Sequence, residues 1–182
     1  MKINNLTVSY GEKKVLDNLS LEFGNGITCL MGESGRGKTT LLHTIAGLIK
    51  PVSGDITDGP KKPALMFQDD RLLPWFTVID NITVVNDNRE KALELLSLME
   101  LDGCENKMPS ELSGGMRRRV SLARALAFDS DMIILDEPFK GLDAALTGRI
   151  AEVIKKSTVP VIIATHDKRD IGLLGADMIE MP

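Results

Sequence analysis

The sequence predicts an α/β fold: a mostly parallel central sheet with an antiparallel N-terminal edge, covered by helices and carrying a small helical subdomain. Three observations predict it. Strand-like and helix-like segments alternate through most of the 182 residues, the pattern of a parallel sheet with crossover helices. The runs Ile27–Met31, Met132–Leu135 and Val161–Ala164 are almost continuously apolar, as central strands buried on both faces must be. Near the start, Leu6, Val8 and Tyr10 alternate with polar residues, as do Leu19, Leu21 and Phe23. These read as half-exposed strands joined by a turn near Gly11–Glu12.

Between the two halves the pattern changes period. Ala92, Leu95, Leu96 and Met99 recur at helical spacing, which predicts an amphipathic helix over Arg89–Met99. Thr77 is placed to cap a helix beginning at Val78. The segment from Arg71 to Pro109 opens a helical insertion that runs to about residue 128, inside one domain spanning 1–182. Hydrophobic residues are 43% and charged residues 26% of the chain, ordinary for a globular protein. A net charge of -4 argues against a general nucleic-acid binder, which needs a basic face. No apolar run approaches the roughly 18 residues that span a bilayer, and the first residues lack a signal-peptide pattern. A cytoplasmic protein is expected, reaching a membrane only through another subunit. Cys29 and Cys104 form no metal or disulfide framework; Cys29, inside an apolar run, reads as a buried thiol.

The segment Gly32-Glu33-Ser34-Gly35-Arg36-Gly37-Lys38-Thr39, followed by Thr40, fits G-x-x-x-x-G-K-[ST] and sits between a buried strand and an apolar-periodic helix. Glycines let the backbone turn tightly and aim N–H groups at an anion lying on a helix N-terminus. Lys38 reaches the β- and γ-phosphates, and the Thr39 hydroxyl is a Mg²⁺ ligand. The site predicted is one for ATP with Mg²⁺. Further on, Met132–Leu135 runs into Asp136-Glu137-Pro138. Carboxylates at the C-terminal end of a parallel strand stand where open α/β sheets bind ligands. Asp136 is read as holding Mg²⁺ through its water shell, and Glu137 as the base that orients and deprotonates the attacking water.

A third segment, Leu112-Ser113-Gly114-Gly115-Met116, precedes Arg117-Arg118-Arg119-Val120-Ser121-Leu122-Ala123-Arg124. Ser113 can cap the helix, and Gly114 and Gly115 leave N–H groups open to an anion. This segment resembles the signature motif of the ATPases of ABC transporters, and the resemblance extends from Tyr10 to His166. It implies a P-loop NTPase fold and a head-to-tail dimer in which the signature of one copy faces the γ-phosphate on the P-loop of the other. It further implies that Tyr10 stacks on adenine, the alternative being a core strand tyrosine. Gln68 resembles the glutamine that contacts Mg²⁺ or its water. His166 resembles the histidine at the γ-phosphate. Asp143, in Gly141-Leu142-Asp143, resembles the loop crossing the dimer interface and could equally be an N-cap. His43 reads as structural.

Met116 and Arg118 depart from glutamines frequent in the family, and Arg118 is expected on a solvated helix face. The chain stops soon after His166, which predicts no appended regulatory domain and leaves dimer stability open. The segment Phe67–Trp75 resembles nitrate, sulfonate and taurine-type importers; Trp75 either packs or lines a groove for a membrane subunit. The implied partners are a second ATPase subunit, a membrane permease and an extracytoplasmic solute-binding protein, with the chain peripheral on the inner membrane face. Exporter or lipoprotein-release ATPases, and ABC proteins acting on nucleic acid or ribosomes, are the alternative classes.

Overall fold

The computed structural model describes residues 1–33 and 35–182. In chain order the elements are β1 (Lys2–Tyr10), β2 (Lys13–Glu22), β3 (Ile27–Met31), α1 (Lys38–Ile45), β4 (Ser53–Thr57), β5 (Pro63–Met66), α2 (Val78–Thr83), α3 (Arg89–Leu98), α4 (Gly114–Ala127), β6 (Met132–Asp136), α5 (Ala144–Lys155), β7 (Val161–Ala164), α6 (Lys168–Leu174) and β8 (Asp177–Glu180). A 3-10 turn at Pro109–Glu111 precedes α4.

The central sheet has the order β5-β6-β7-β3-β8, and all its pairings are parallel. The antiparallel strands form a sheet of their own, ordered β2-β1-β4. The register between β1 and β2 shifts three times, between Ile3 and Leu6, Leu6 and Val8, and Val8 and Ser9. Such bulges twist and bend a strand. They also break the expected alternation: Thr7 is buried along with Leu6 and Val8, and its hydroxyl accepts a hydrogen bond from the Asn18 N–H at 3.1 Å.

Apolar side chains pack on both faces of the parallel sheet, which explains the continuous apolar runs. Ile133, Leu135 and Ile163 join one core with Ile79, Leu96 and Leu122 of the helical segment. Met132, Ile134, Ile162 and Leu30 join the other, with Leu6, Val8 and Leu41. Successive residues of one strand thus serve opposite cores. The α2–α4 segment behaves as its spacing predicts, with Ala92, Leu95, Leu96 and Met99 buried. Thr77 caps α2 by accepting from the Asp80 N–H at 3.2 Å. Buried Asn81 donates to the carbonyls of Leu73, Phe76 and Thr77 and so fixes the loop before that cap. No helix among the described residues is long and apolar enough to cross a membrane.

Candidate active site

The functional side chains gather at the C-terminal ends of β3, β6 and β7. Because β7 lies between β3 and β6, the loop after β3 and the acidic end of β6 are about 10 Å apart across the sheet, two strand spacings. The gap is closed by side chains. Helix α1 starts at Lys38, and its N-cap, Gly37, has φ 90° and no side-chain cap, so the first-turn N–H groups remain open to an anion. A Cβ at Gly37 would lie 2.7 Å from Leu16 Cδ2 and 3.2 Å from Val15 Cγ1, which leaves room for glycine alone. Lys38 is buried, and its ammonium donates to the carbonyls of Gly32 at 2.6 Å and Glu33 at 2.9 Å. It is thereby held in the loop by carbonyl oxygens, with the Asp136 carboxylate near enough to act on its charge. Glu33 and Arg36 form an exposed pair at 3.7 Å. Ser34 lies outside the described residues.

Thr39 Oγ1 donates to Asp136 Oδ2 at 2.6 Å, tying the loop to the β6 end. Burial raises the Asp136 carboxyl above its ordinary pKa, partly offset by the Thr39 hydrogen bond. Beside this contact is a hollow of about 200 Å³ lined by Gly35, Gly37, Lys38, Thr39, Gln68, Asp136 and Glu137, among others. Glu137 has φ 52°, a left-handed backbone that a non-glycine residue adopts only under constraint. Its Oε1 lies 3.2 Å from His166 Nδ1 and its Oε2 lies 3.2 Å from Lys140 Nζ. Burial pushes Glu137 upward, but the Lys140 ammonium and His166 outweigh it and hold the carboxyl below its ordinary pKa. The group is an ionised carboxylate at neutral pH, as a base must be. Glu137 also borders a second hollow of about 240 Å³, lined by Lys140, Gly141, Leu142 and His166. A larger hollow of about 570 Å³ between α5 and α6 contains none of the loop residues after β3.

The sequence matches the family model described as ABC transporter over residues 16–140. The chain belongs to the ABC transporter family. An aliphatic sulfonates import ATP-binding protein of Paraburkholderia xenovorans is 40% identical over 187 residues, covering 98% of this chain and 75% of the relative. One of Rhodococcus jostii with the same descriptive name is 43% identical over 176 residues, covering 91% of this chain and 72% of the relative. A taurine import ATP-binding protein of Pseudomonas fluorescens is 39% identical, covering 91% of this chain and 70% of the relative. Among solved structures, the dimeric bacterial ABC transporter cassette MJ0796 superposes with a TM-score of 0.85 at 29% identity, covering 99% of this chain and 93% of that chain. The same cassette in a post-hydrolysis state bound to ADP and phosphate gives 0.82. The chain is an ATP-binding ABC ATPase.

The ABC ATPase fold does not bring every predicted position together. Ser113, Gly114 and Gly115 are exposed, and none of them lines the hollow beside the P-loop. Ser113 does cap α4, accepting from the Met116 N–H at 3.2 Å. Asp143 caps α5, accepting from the Leu146 N–H at 2.9 Å. Tyr10 ends β1 at 54% exposure, which rules out the core alternative. Trp75 is 69% exposed and is no packing residue. His43 meets the Phe67 ring edge-on at 5.4 Å, a structural contact.

One expectation is overturned. Arg118 is not on a solvated face: it donates to the backbone carbonyls of Gln68, Asp136 and Glu137. Lys140 was equally invisible in the sequence, because an isolated lysine in a loop gives no sign of the carboxylate it faces. Among the described residues no three acidic, histidine or cysteine side chains could hold a metal by themselves. One carboxylate and one hydroxyl fit Mg²⁺, which takes few protein ligands and completes its shell with phosphate oxygens and water.

Proposed function

We propose that this chain is the ATPase subunit of an importer for small sulfonates of the alkanesulfonate or taurine class, acting beneath a separate membrane permease. The observation that carries the reading is the convergence of Lys38, the Thr39–Asp136 pair and Glu137 on the hollow beside the P-loop, with His166 against the Glu137 carboxylate from the neighbouring hollow. The importer names of relatives about 40% identical over most of the chain support the solute class.

In this reading Gly32, Glu33, Ser34, Gly35, Arg36, Gly37 and Thr40 wrap the triphosphate, Lys38 neutralises its β- and γ-oxygens, and Tyr10 stacks on the adenine. Thr39, Asp136 and Gln68 hold Mg²⁺, which supplies a charge clamp on the phosphates. Glu137 orients the attacking water and takes its proton, and His166 stabilises charge gathering on the γ-phosphate. Ser113, Gly114 and Gly115 face the nucleotide of a second, identical copy, and the exposed position of the signature on this chain supports that use. Asp143 stands in the loop that crosses to the partner. The domain is one ATPase unit with its helical insertion at about 71–128, peripheral on the cytoplasmic membrane face. An extracytoplasmic binding protein delivers the solute.

Affinity purification of the chain from detergent-solubilised membranes tests the reading. The expected result is co-purification of a multi-spanning membrane protein, with MgATP hydrolysis stimulated by a sulfonate-loaded binding protein. Recovery with ribosomes or DNA, and no membrane protein, would overturn it.

A further inference from the structure

The signature helix α4 does more than present its N-terminus. Three of its arginines reach back to the loop that follows β5. Arg117 Nε donates to Asp70 Oδ2 at 2.9 Å, and Arg124 donates to the carbonyls of Asp70 and Arg71 at 3.2 and 3.0 Å. Arg118 makes a different set of contacts. Its Nη1 donates to the Gln68 carbonyl at 2.5 Å, while Nη2 donates to the Glu137 carbonyl at 2.5 Å and the Asp136 carbonyl at 3.2 Å. One rigid guanidinium therefore joins α4, the Gln68 loop and the end of the catalytic strand.

The reason β6 needs such a partner is local. The Glu137 N–H still donates to the Ala164 carbonyl at 2.9 Å, so the ladder to β7 holds up to that point. At Glu137 the backbone turns left-handed and leaves the sheet. Asp136 is 3% exposed, and a buried carbonyl without a donor is costly. Arg118 supplies donors to two successive carbonyls at the strained turn and fixes the peptide that aims the Glu137 carboxylate.

We propose that Arg118 is a positioning residue for ATP hydrolysis: it locks the Glu137 peptide to the Gln68 loop, so that the base takes its working orientation only when that loop is in place. The inference rests on Glu137 being the base. It gives the loop and the base a shared element in one chain. Gln68 itself acts on the metal, whereas Arg118 touches only backbone.

The test compares Arg118→Ala and Arg118→Gln with Arg117→Ala, which loosens the same loop at Asp70 without touching β6. Steady-state hydrolysis and backbone hydrogen exchange are both measured on the full chain. Arg118→Ala is expected to lower kcat by roughly 10- to 100-fold, the scale of a lost transition-state contact, with KM for ATP changed by less than about threefold. Arg118→Gln, which keeps two N–H donors, is expected to fall between Arg118→Ala and the parent chain. Arg117→Ala is expected to leave kcat within about threefold. Exchange should quicken at the Glu137 and Lys140 amides, which donate to the Ala164 and Glu137 carbonyls, in Arg118→Ala and not in Arg117→Ala. Unchanged exchange at those two amides, or equal kinetic effects of Arg117→Ala and Arg118→Ala, would overturn the proposal. The exchange result decides it without turnover, so a failure of Glu137 as base, seen as full activity in Glu137→Gln, is read separately.

Discussion

Replacing Thr39 by valine keeps the branched shape and removes one hydroxyl, so it isolates the hydrogen bond to Asp136 Oδ2 at 2.6 Å. That bond joins the loop after β3 to the end of β6 across the intervening strand, and its acceptor is a carboxylate only 3% exposed. A hydrogen bond to a charged group contributes about 1.5–3 kcal/mol. For a domain of this size each kcal/mol lowers Tm by about 2–4 °C, so Thr39→Val should melt about 3–12 °C below the parent without nucleotide. The pH dependence is a sharper check. Burial already raises the Asp136 pKa, and the Thr39 bond holds it down. Removing that bond raises it further, so the native variant binds a proton more readily than its unfolded chain does. Stability then returns as pH falls through the raised carboxyl range, and the deficit shrinks on acidification. A double-mutant cycle with Asp136→Asn, followed by thermal unfolding at neutral and acidic pH, measures the coupling. A coupling under about 0.5 kcal/mol, the scatter of independent sites, or a deficit that ignores pH, would show that the Thr39 hydroxyl does not stabilise the Asp136 carboxylate.

Gly37→Ala should cost roughly 2–5 kcal/mol by chemical denaturation, from a left-handed backbone at φ 90° and contacts of 2.7 and 3.2 Å with Leu16 and Val15. Gly35→Ala, at φ 86° with open space around its Cβ, should cost only about 1–2 kcal/mol; equal losses would contradict the packing argument. Cys29 is fully buried, with its thiol pushed up to about 11 by burial and Asp170, and Cys104 is buried as well. A thiol reagent near neutral pH should therefore label neither cysteine until denaturant is added, and rapid labelling of the native chain would count against that core.

The parts of this molecule legible in the sequence are those whose chemistry dictates a local pattern. The P-loop segment, the run ending in Asp136-Glu137 and the cap at Ser113 each need particular residue types at fixed spacing, and β3, β6 and β7 need apolar residues on both faces. Strands β4 and β8 were missed because their residues are mostly exposed, so short polar edges leave no apolar signature. Thr7 broke the predicted alternation because bulges set the register of β1, and bulges depend on the partner strand. Arg118 was misread for a related reason. Its position in a basic, helix-forming run resembles a solvated face, while its partners lie 50, 18 and 19 residues away. A side chain whose role is to satisfy distant backbone carbonyls cannot announce itself locally.

Hydrolysis in this chain requires one triphosphate enclosed by the P-loop of one copy and the signature of another. The direct measurement is the mass of Glu137→Gln by size-exclusion chromatography with light scattering, with and without MgATP, alone and combined with Ser113→Arg. The prediction is a shift from the 19.9 kDa chain to twice that mass when MgATP is present, abolished by Ser113→Arg while the P-loop still binds nucleotide by calorimetry. A protein that stays monomeric with MgATP, or a dimer indifferent to Ser113→Arg, would contradict it.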